Sequence, residues 1–374
     1  MSKRPAPKPA PGKKSIPRPT VAVLGIGQMG LVCASLLAAP DKPRWDDSDT
    51  PKAKGKPEAP PFDIVLWGHN QDEAGELAQT RKSARLPGFK LPDAVRVSFK
   101  DAESVREASL IVSAVPVQFS RDAWLRLRKY IPSDAAVVSV AKGIENDTLL
   151  RPTQVIADVL EDDLDAAPRR LGVLSGPTIA SELARFLPAT MIAASDDLEF
   201  AKFVQRLFST SWLRVYTNPD LLGVEIAGAT KNIIAIAAGV LDGLKVGYNA
   251  KSALLARGLA EIARLGTSMG ASPETFFGIA GVGDLATSCF SPEGRNRTCG
   301  EALGRGEKLD AFLKRTPSVV EGVATTRSVM DLSRKFKVEM PITAAVHAVL
   351  FQKVDPIEAI GRLMSRELKV ERVG

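Results

Sequence analysis

The chain has 374 residues, of which 45% are hydrophobic and 25% charged, with a mean hydropathy near zero. This composition is typical of a globular protein of about two domains, and no uncharged apolar run approaches the roughly 20 residues of a membrane-spanning helix. Six basic residues and no acid lie in residues 1–19, so the formal charge of +7 arises almost entirely there. The charge therefore indicates a solvated tail rather than a nucleic-acid-binding surface.

The tail and the cysteines bear on location. Residues 1–18 are basic and proline-rich without an apolar segment, so we expect a disordered tail rather than a secretory signal. Cys33, Cys289 and Cys299 are too widely spaced for a disulfide framework or a zinc site, and the chain has only two histidines. These features predict a reducing, cytoplasmic setting and no bound metal.

From Thr20 onward, apolar runs of strand length alternate with segments of helix length. Near-continuous apolar strands separated by helices are typical of a parallel sheet with helices on both faces. Strand signals end near Pro219, where long alanine-rich helical segments begin. We therefore predict an α/β domain over residues 19–217 and an all-α domain over 218–374. The predicted strands are 20–25, 63–68, 95–99, 110–115, 136–142, 171–176 and 190–195.

One segment departs from this alternation. Residues 40–61, between the first helix and the second strand, carry six prolines and a balanced set of charges. Connections of this length are usually functional or disordered. The composition predicts a flexible surface insertion.

A glycine-rich loop, GIGQMG at residues 25–30, follows the first strand and precedes a helix. In the G-x-G-x-x-G pattern, Gly25 permits the tight turn, Gly27 lets the backbone approach a pyrophosphate, and Gly30 allows close helix–strand packing. The helix N-terminus adds a partial positive charge toward the phosphates. This context predicts a Rossmann-type dinucleotide site.

The end of the second strand bears on cofactor choice. It reads WGHN, so His69 and Asn70 stand where a carboxylate would bind the ribose hydroxyls of NAD. Without that carboxylate, a 2′-phosphate is not repelled. NADP is therefore expected to bind at least as readily as NAD, and the choice stays open.

Further polar clusters follow predicted strands or lie in the helical half. The segments 114–119 (AVPVQF), 141–146 (AKGIEN) and 175–180 (SGPTIA) stand at strand ends, where ligands of open α/β sheets bind. In the helical half, Asp284 in GVGDLATSC is expected to be partly buried beside a cation. GRNR at 294–297 provides guanidinium donors suited to a phosphate.

Lys231 lies in the apolar helix GVEIAGATKNIIAIAAGV, at residues 223–240. Burying a lysine is costly unless another group compensates its charge. Two interpretations follow: a structural lysine paired with Glu225, or a chemically active lysine. The helix alone favours the first, and the surrounding motifs favour the second.

The order of these motifs resembles that of NAD(P)-dependent glycerol-3-phosphate dehydrogenases of the bacterial soluble type, over about residues 20–365. The resemblance implies interconversion of sn-glycerol 3-phosphate and dihydroxyacetone phosphate by hydride transfer with NAD or NADP, supplying glycerol 3-phosphate for phospholipid synthesis. We expect a homodimer with a small-molecule substrate and no nucleic-acid or membrane partner. The motifs are GIGQMG, AVP, AKGIE, SGPT, EIAGATKN, LARGLAEIARLG, GVGDLATSC and GRNR.

The resemblance also implies roles for individual residues. Lys231 matches the catalytic general base, with a pKa lowered toward neutrality between Lys142 and Asp284. The implied substrate-binding residues are Lys142, Gly176, Thr178, Asn232, Asp284, Ser288, Arg295 and Asn296. The implied cofactor-binding residues are Gly25, Gly27, Gln28, Met29, Gly30, His69, Lys142, Ala180, Arg295 and Glu321.

Two departures and two alternatives qualify this interpretation. Gly294 stands where bacterial members usually have serine, and AVPV stands where the family commonly has VPS. One alternative is a related 3-hydroxy-acid or phosphogluconate-type dehydrogenase, which typically places the asparagine a helical turn after the lysine. The other is a dinucleotide-sensing protein without turnover, which needs neither Lys231 nor Asp284.

Overall fold

A computed structural model describes residues 18–38, 61–161, 169–316, 318–368 and 370. Within these ranges an eight-stranded sheet with flanking helices precedes a wholly helical region, so the predicted fold class is confirmed. The strands are β1 (Thr20–Leu24), β2 (Asp63–Trp67), β3 (Val95–Ser98), β4 (Ala108–Ser113), β5 (Ala136–Ser139), β6 (Leu171–Ser175), β7 (Ala189–Ala194) and β8 (Leu213–Asn218).

Helices of the first region connect the strands, and helices of the second pack on one another. The first set is α1 (Gln28–Ala38), α2 (Gln71–Thr80), α3 (Asp101–Val105), α4 (Val117–Leu127), α5 (Pro152–Leu160), α6 (Ala180–Leu183) and α7 (Leu198–Phe208). The second set is α8 (Leu221–Leu244), α9 (Tyr248–Ser268), α10 (Pro273–Phe277), α11 (Asp284–Phe290), α12 (Arg295–Gly304), α13 (Leu309–Arg315), α14 (Glu321–Lys335), α15 (Pro341–Phe351) and α16 (Pro356–Met364).

The sheet order is β3-β2-β1-β4-β5-β6-β7-β8. Every pairing is parallel except that of β6 with β7. The direction of strand addition reverses between β1 and β4, and ligands of doubly wound sheets bind outside the carboxyl ends of the strands at such a reversal. The topology therefore places a binding crevice beside the glycine-rich loop after β1.

All seven predicted strands are present, and an eighth, β8, was missed. Its residues alternate between buried and exposed positions because it lies at the edge of the sheet. A search for continuous apolar runs does not detect such a strand. The predicted strand 136–142 ends earlier, at Ser139, so Lys142 lies in the following loop. Apart from Arg18 and Pro61, the predicted tail and insertion lie outside the described residues.

Helix α8 is the core of the helical region. By length and composition it could cross a membrane, yet 89% of its most apolar window is buried inside the fold. Burial on all sides explains the apolar composition, because a helix surrounded by protein has no face that needs polar residues.

Helices α8 and α12 cross with their backbones in contact, and glycines permit the close approach. A Cβ on Gly239 would overlap the carbonyl oxygen of Arg297, and a Cβ on Gly300 would overlap that of Ile236. Backbone atoms of a buried helix cannot move aside as a flexible side chain can. The glycines therefore set the distance between the helix that carries Lys231 and the helix that begins at Arg295.

We expect Gly300→Ala to destabilise the fold by about 1–3 kcal/mol, because the added methyl group forces the two helices apart. Gly361→Ala is the matched control: this exposed glycine of α16 has open space around its Cβ, and alanine there should stabilise by about 0.4–1 kcal/mol. Denaturant unfolding measures both free energies. Equal effects of the two substitutions would contradict the assigned role of the helix crossing.

Candidate active site

A cavity of about 760 Å³ lies at the carboxyl ends of the parallel strands and reaches helices α8, α11 and α12. Its size is typical of small-molecule and cofactor sites. Of the predicted site residues, only Gly30 and Gly176 do not line it. The predicted residues that do are Gly25, Gly27, Gln28, Met29, His69, Lys142, Thr178, Ala180, Lys231, Asn232, Asp284, Ser288, Arg295, Asn296 and Glu321.

The glycine-rich loop forms one wall of this cavity, and its geometry suits a dinucleotide. Gly25 has a φ of +105°, a conformation that favours glycine, and a Cβ on Gly30 would overlap the carbonyl oxygen of Gly25. A Cβ on Gly27, by contrast, would meet nothing within 4 Å, so the backbone there is open to the cavity. Since α1 begins at Gln28, its free N–H groups lie beside this opening.

At the other end of the cavity, two lysines share one buried carboxylate. Lys231 Nζ lies 2.6 Å from Asp284 Oδ1, and Lys142 Nζ lies 2.6 Å from Asp284 Oδ2. Lys231 Nζ also donates to Ser288 Oγ at 2.6 Å. Asp284 is only 1% exposed, as expected for a carboxylate with cationic partners.

The pKa of Lys231 is lowered to about 8, chiefly by burial and in part by the positive charge of Lys142, while Asp284 and Glu321 act to raise it. The shift arises because a lysine removed from water is disfavoured in its charged form. A pKa near 8 leaves both protonation states accessible near neutral pH, which a residue that both accepts and donates a proton requires.

The interpretation that pairs Lys231 with Glu225 is wrong. The Glu225 carboxylate is bound by Arg151 and by Thr153, which donates its backbone N–H at 2.9 Å and its hydroxyl at 2.8 Å. Residues six apart lie on different faces of a helix, so Glu225 joins α8 to the start of α5 instead. Lys231 therefore pairs with Asp284 and lines the cavity.

Arg295 and Asn296 lie on the α12 side of the cavity. The side chain of Arg295 makes no hydrogen bond or ion pair with any residue in the described ranges, so its guanidinium is available to an anion. Asn296 donates to Asn232 Oδ1 at 2.9 Å and accepts from the backbone N–H of Gly322 at 2.9 Å.

A second donor, on a residue that lines the cavity, lacks a hydrogen-bond partner among the described residues. The Asn232 Nδ2 atom is buried and has no hydrogen-bond partner among the described residues. Because an unpaired buried donor is costly, it indicates a position where a ligand accepts a hydrogen bond.

The strand-end motifs position the remaining predicted residues. Gly176 acts through its carbonyl oxygen, which accepts from Lys142 Nζ at 3.0 Å and from the Thr178 hydroxyl at 3.1 Å. Glu321 begins α14 and is half-buried, and its partial removal from water raises its pKa, although Arg295 and the two lysines act to lower it. Together these loops bring charges from both halves of the chain into one cavity.

Sequence reasoning missed several lining residues near the end of β2 and along α4. They include Trp67, Glu73, Arg85, Phe119, Asp122 and Arg126. Phe119 is the last residue of the segment 114–119, and its place after a strand could have predicted that it lines the cavity. No comparable signal marks Arg85, which reaches the cavity from the loop after α2.

Comparisons with known proteins agree with this geometry. Residues 20–201 and 220–361 match the NAD-dependent glycerol-3-phosphate dehydrogenase N-terminus and C-terminus, respectively. A glycerol-3-phosphate dehydrogenase, NAD(P)+, of Chlorobium phaeobacteroides is 43% identical over 94% of this chain and 98% of that protein. One of Bacillus pumilus is 45% identical over 92% and 94%. The crystal structure of glycerol-3-phosphate dehydrogenase from Coxiella burnetii, 31% identical, has a TM-score of 0.83 and covers 94% of this chain and 99% of that one.

The fold and the cavity define a dinucleotide-dependent dehydrogenase, with a Rossmann-type sheet beside a helical half. The chain belongs to the NAD-dependent glycerol-3-phosphate dehydrogenase family, which both halves match. The resemblance based on the motifs is thereby confirmed.

Proposed function

We propose that this chain interconverts sn-glycerol 3-phosphate and dihydroxyacetone phosphate with NAD(P). The observation that carries the proposal is the buried Lys142–Asp284–Lys231 cluster in a cavity that Arg295 also lines, with no hydrogen-bonded partner for Arg295 among the described residues. The family assignment supports the same reaction, since relatives that match most of the chain are named glycerol-3-phosphate dehydrogenases.

The nicotinamide cofactor, when bound, exchanges a hydride with C2 of the substrate. We propose that Gly25, Gly27 and the first turn of α1, which begins at Gln28, hold its pyrophosphate, because their backbone N–H groups border the open side of the loop. Met29, His69, Ala180 and Glu321 line the same cavity and are proposed as further contacts. Gly30 contributes by packing α1 on the loop.

Lys231 is the proposed general base and acid. Its contacts with Asp284 Oδ1 and Ser288 Oγ occupy two N–H groups, so the third position on Nζ is left for the cavity. The neutral amine accepts the proton of the C2 hydroxyl during oxidation. During reduction the ammonium returns that proton to the C2 oxygen.

Arg295 is the proposed ligand of the substrate phosphate. A guanidinium without a protein partner forms strong charge-assisted hydrogen bonds with a phosphate. Lys142 adds positive charge, and Thr178, Asn232 and Asn296 provide hydrogen-bonding groups that orient the glycerol part.

The two alternatives from the sequence have less support. Family models for both halves favour the glycerol-3-phosphate dehydrogenase assignment over a 3-hydroxy-acid or phosphogluconate-type enzyme. A sensing protein without turnover would have no use for two lysines held on a buried carboxylate, an arrangement that is costly to bury.

The family resemblance and the cysteines bear on the biological setting. We propose a cytoplasmic homodimer that supplies glycerol 3-phosphate for phospholipid synthesis, as the family resemblance implies. The free, buried thiols of Cys33, Cys289 and Cys299 support a reducing location. A domain boundary near residue 218 is supported by the end of β8 at Asn218 and the start of α8 at Leu221.

A direct test follows the oxidation of NADH and NADPH by the purified protein. We expect the cofactor absorbance to fall only after dihydroxyacetone phosphate is added.

We expect Lys231→Met to reduce kcat by about 10²–10⁴-fold, because it removes the titrating amine while keeping a chain of similar length. Cofactor binding and the thermal melting temperature serve as controls. A folded variant that retains more than about a tenth of the wild-type kcat would exclude the general-base role.

The two directions of the reaction should respond oppositely to pH. Oxidation needs the neutral amine of Lys231, whose pKa is about 8, so kcat/KM for glycerol 3-phosphate should rise as pH increases through that value. Reduction needs the ammonium, so kcat/KM for dihydroxyacetone phosphate should fall over the same range. Initial rates between about pH 6.5 and about pH 9.5 measure both profiles. Profiles that rise together in both directions would contradict the assignment.

Arg295→Ala should raise the KM for dihydroxyacetone phosphate by about tenfold or more, because it removes charge-assisted hydrogen bonds to the phosphate. The KM for the cofactor should change much less. Arg305→Ala is the matched control, since this exposed arginine lies at the end of the same helix, pairs with Glu301 and does not line the cavity. An unchanged substrate KM in Arg295→Ala would overturn the role of Arg295.

A further inference from the structure

The cavity extends away from Lys231 to the carboxyl end of β2, where His69, Glu73, Arg85 and Arg126 line it. In a doubly wound sheet, the adenosine ribose of a dinucleotide lies beside this strand end, and the residues there distinguish a 2′-hydroxyl from a 2′-phosphate. In this chain, His69 and Asn70 after β2 do not by themselves show which side chains make this distinction.

Neither His69 nor Asn70 offers a carboxylate to the ribose, and Asn70 has a structural task. Its side chain accepts the backbone N–H of Glu73 at 2.9 Å and thereby caps the N-terminus of α2. A guanidinium partner for a 2′-phosphate must therefore come from residues that reach this end of the cavity from elsewhere in the fold.

Of the two arginines at this end, Arg126 has a protein partner on each of its three nitrogens. Its Nε and Nη2 atoms each lie 2.8 Å from the Asp101 carboxylate, and its Nη1 donates to the carbonyl oxygen of His69 at 3.2 Å. Its guanidinium also lies over the ring of Trp67, 5.3 Å from the centroid. Each of the three guanidinium nitrogens of Arg126 therefore already has a protein partner.

Arg85 is held differently. Its Nε and Nη2 atoms bind the Glu73 carboxylate at 2.5 and 3.0 Å, while its Nη1 has no partner among the described residues. Its backbone carbonyl accepts from Gln28 Nε2 at 2.8 Å, which ties the Arg85 loop to the glycine-rich loop. The Arg85 side chain is thus anchored beside the proposed pyrophosphate site, with its Nη1 nitrogen available to a ligand.

The Arg85–Glu73 pair is also able to exchange partners. The two side chains are 37% and 32% exposed, and partly exposed ion pairs contribute little net stability. A phosphate monoester carries about 1.5 to 2 negative charges and three acceptor oxygens, so it competes effectively with one carboxylate for a guanidinium. The hydrogen bond from Arg85 lowers the pKa of Glu73, so this competing carboxylate is ionised at neutral pH.

We propose that Arg85 binds the 2′-phosphate of NADP(H) and that Glu73 is the counter-ion which this phosphate displaces. The inference rests on the proposed dinucleotide site but not on the identity of the substrate. Arg85 is therefore the residue that favours NADP(H), and Glu73, through its negative charge, opposes it. Removing one or the other should change the preference in opposite directions.

The test measures binding without turnover, by isothermal titration calorimetry with adenosine 2′,5′-bisphosphate and with AMP, which differ only in the 2′-phosphate. Arg85→Ala should weaken binding of the bisphosphate by about tenfold or more and change AMP binding by less than about threefold. Arg85→Lys, which keeps the charge but loses the forked geometry, should give an intermediate loss. Glu73→Gln should strengthen bisphosphate binding.

Arg128→Ala is the matched control, because Arg128 forms a comparably exposed pair with Glu161 at 3.0 Å and does not line the cavity. It should bind both nucleotides as the wild type does. Equal weakening of both nucleotides in Arg85→Ala, or weaker bisphosphate binding in Glu73→Gln, would overturn the proposal. If binding follows the prediction but dihydroxyacetone phosphate is not reduced, the proposed reaction fails while the role of Arg85 stands.

Discussion

The site depends on the two ion pairs that the Asp284 carboxylate forms with Lys142 and Lys231. This carboxylate is almost completely buried, and it holds Lys142 from the loop after β5 and Lys231 from α8, each at 2.6 Å. Without it, two ammonium groups would repel each other in a desolvated space, and a buried charge that loses its partner is strongly destabilising. One side chain of the helical half thus joins both halves of the chain and lowers the cost of burying Lys231.

The packing of α8 against α12 fixes the relative positions of the helices that carry Lys231 and Arg295. Gly239 and Gly300 allow α8 and α12 to cross with their backbones in contact, so the distance between Lys231 and Arg295 is set by main-chain atoms rather than by flexible side chains. The buried pair of Glu225 and Arg151 attaches the start of α8 to the sheet domain. A proton-transfer residue requires this rigidity, because small displacements from hydrogen-bonding distance cost much of the rate.

Charges divide the cavity into two functional ends. The Lys231 end combines two lysines that share one carboxylate with Arg295, which has no hydrogen-bonded partner among the described residues, and this suits a small dianionic substrate. At the β2 end, Arg85 lies in a partly exposed pair with Glu73 that a second phosphate can separate. Between them the glycine-rich loop presents backbone N–H groups rather than charged side chains. Three kinds of group along one cavity can thus bind anions: the charged side chains at the Lys231 end, the backbone N–H groups of the glycine-rich loop, and the guanidinium of Arg85.

The sequence by itself determined the seven apolar strands, the glycine-rich loop and the order of the family motifs, because these depend on local patterns of apolar residues and glycine. It did not reveal β8, whose alternating pattern follows from its place at the sheet edge. The helix pattern alone favoured Glu225 as the partner of Lys231, and the family motifs pointed to Asp284 instead. Only the tertiary structure showed the contact with Asp284 and brought Arg85 to the cofactor cavity, because both depend on contacts between residues far apart in the chain.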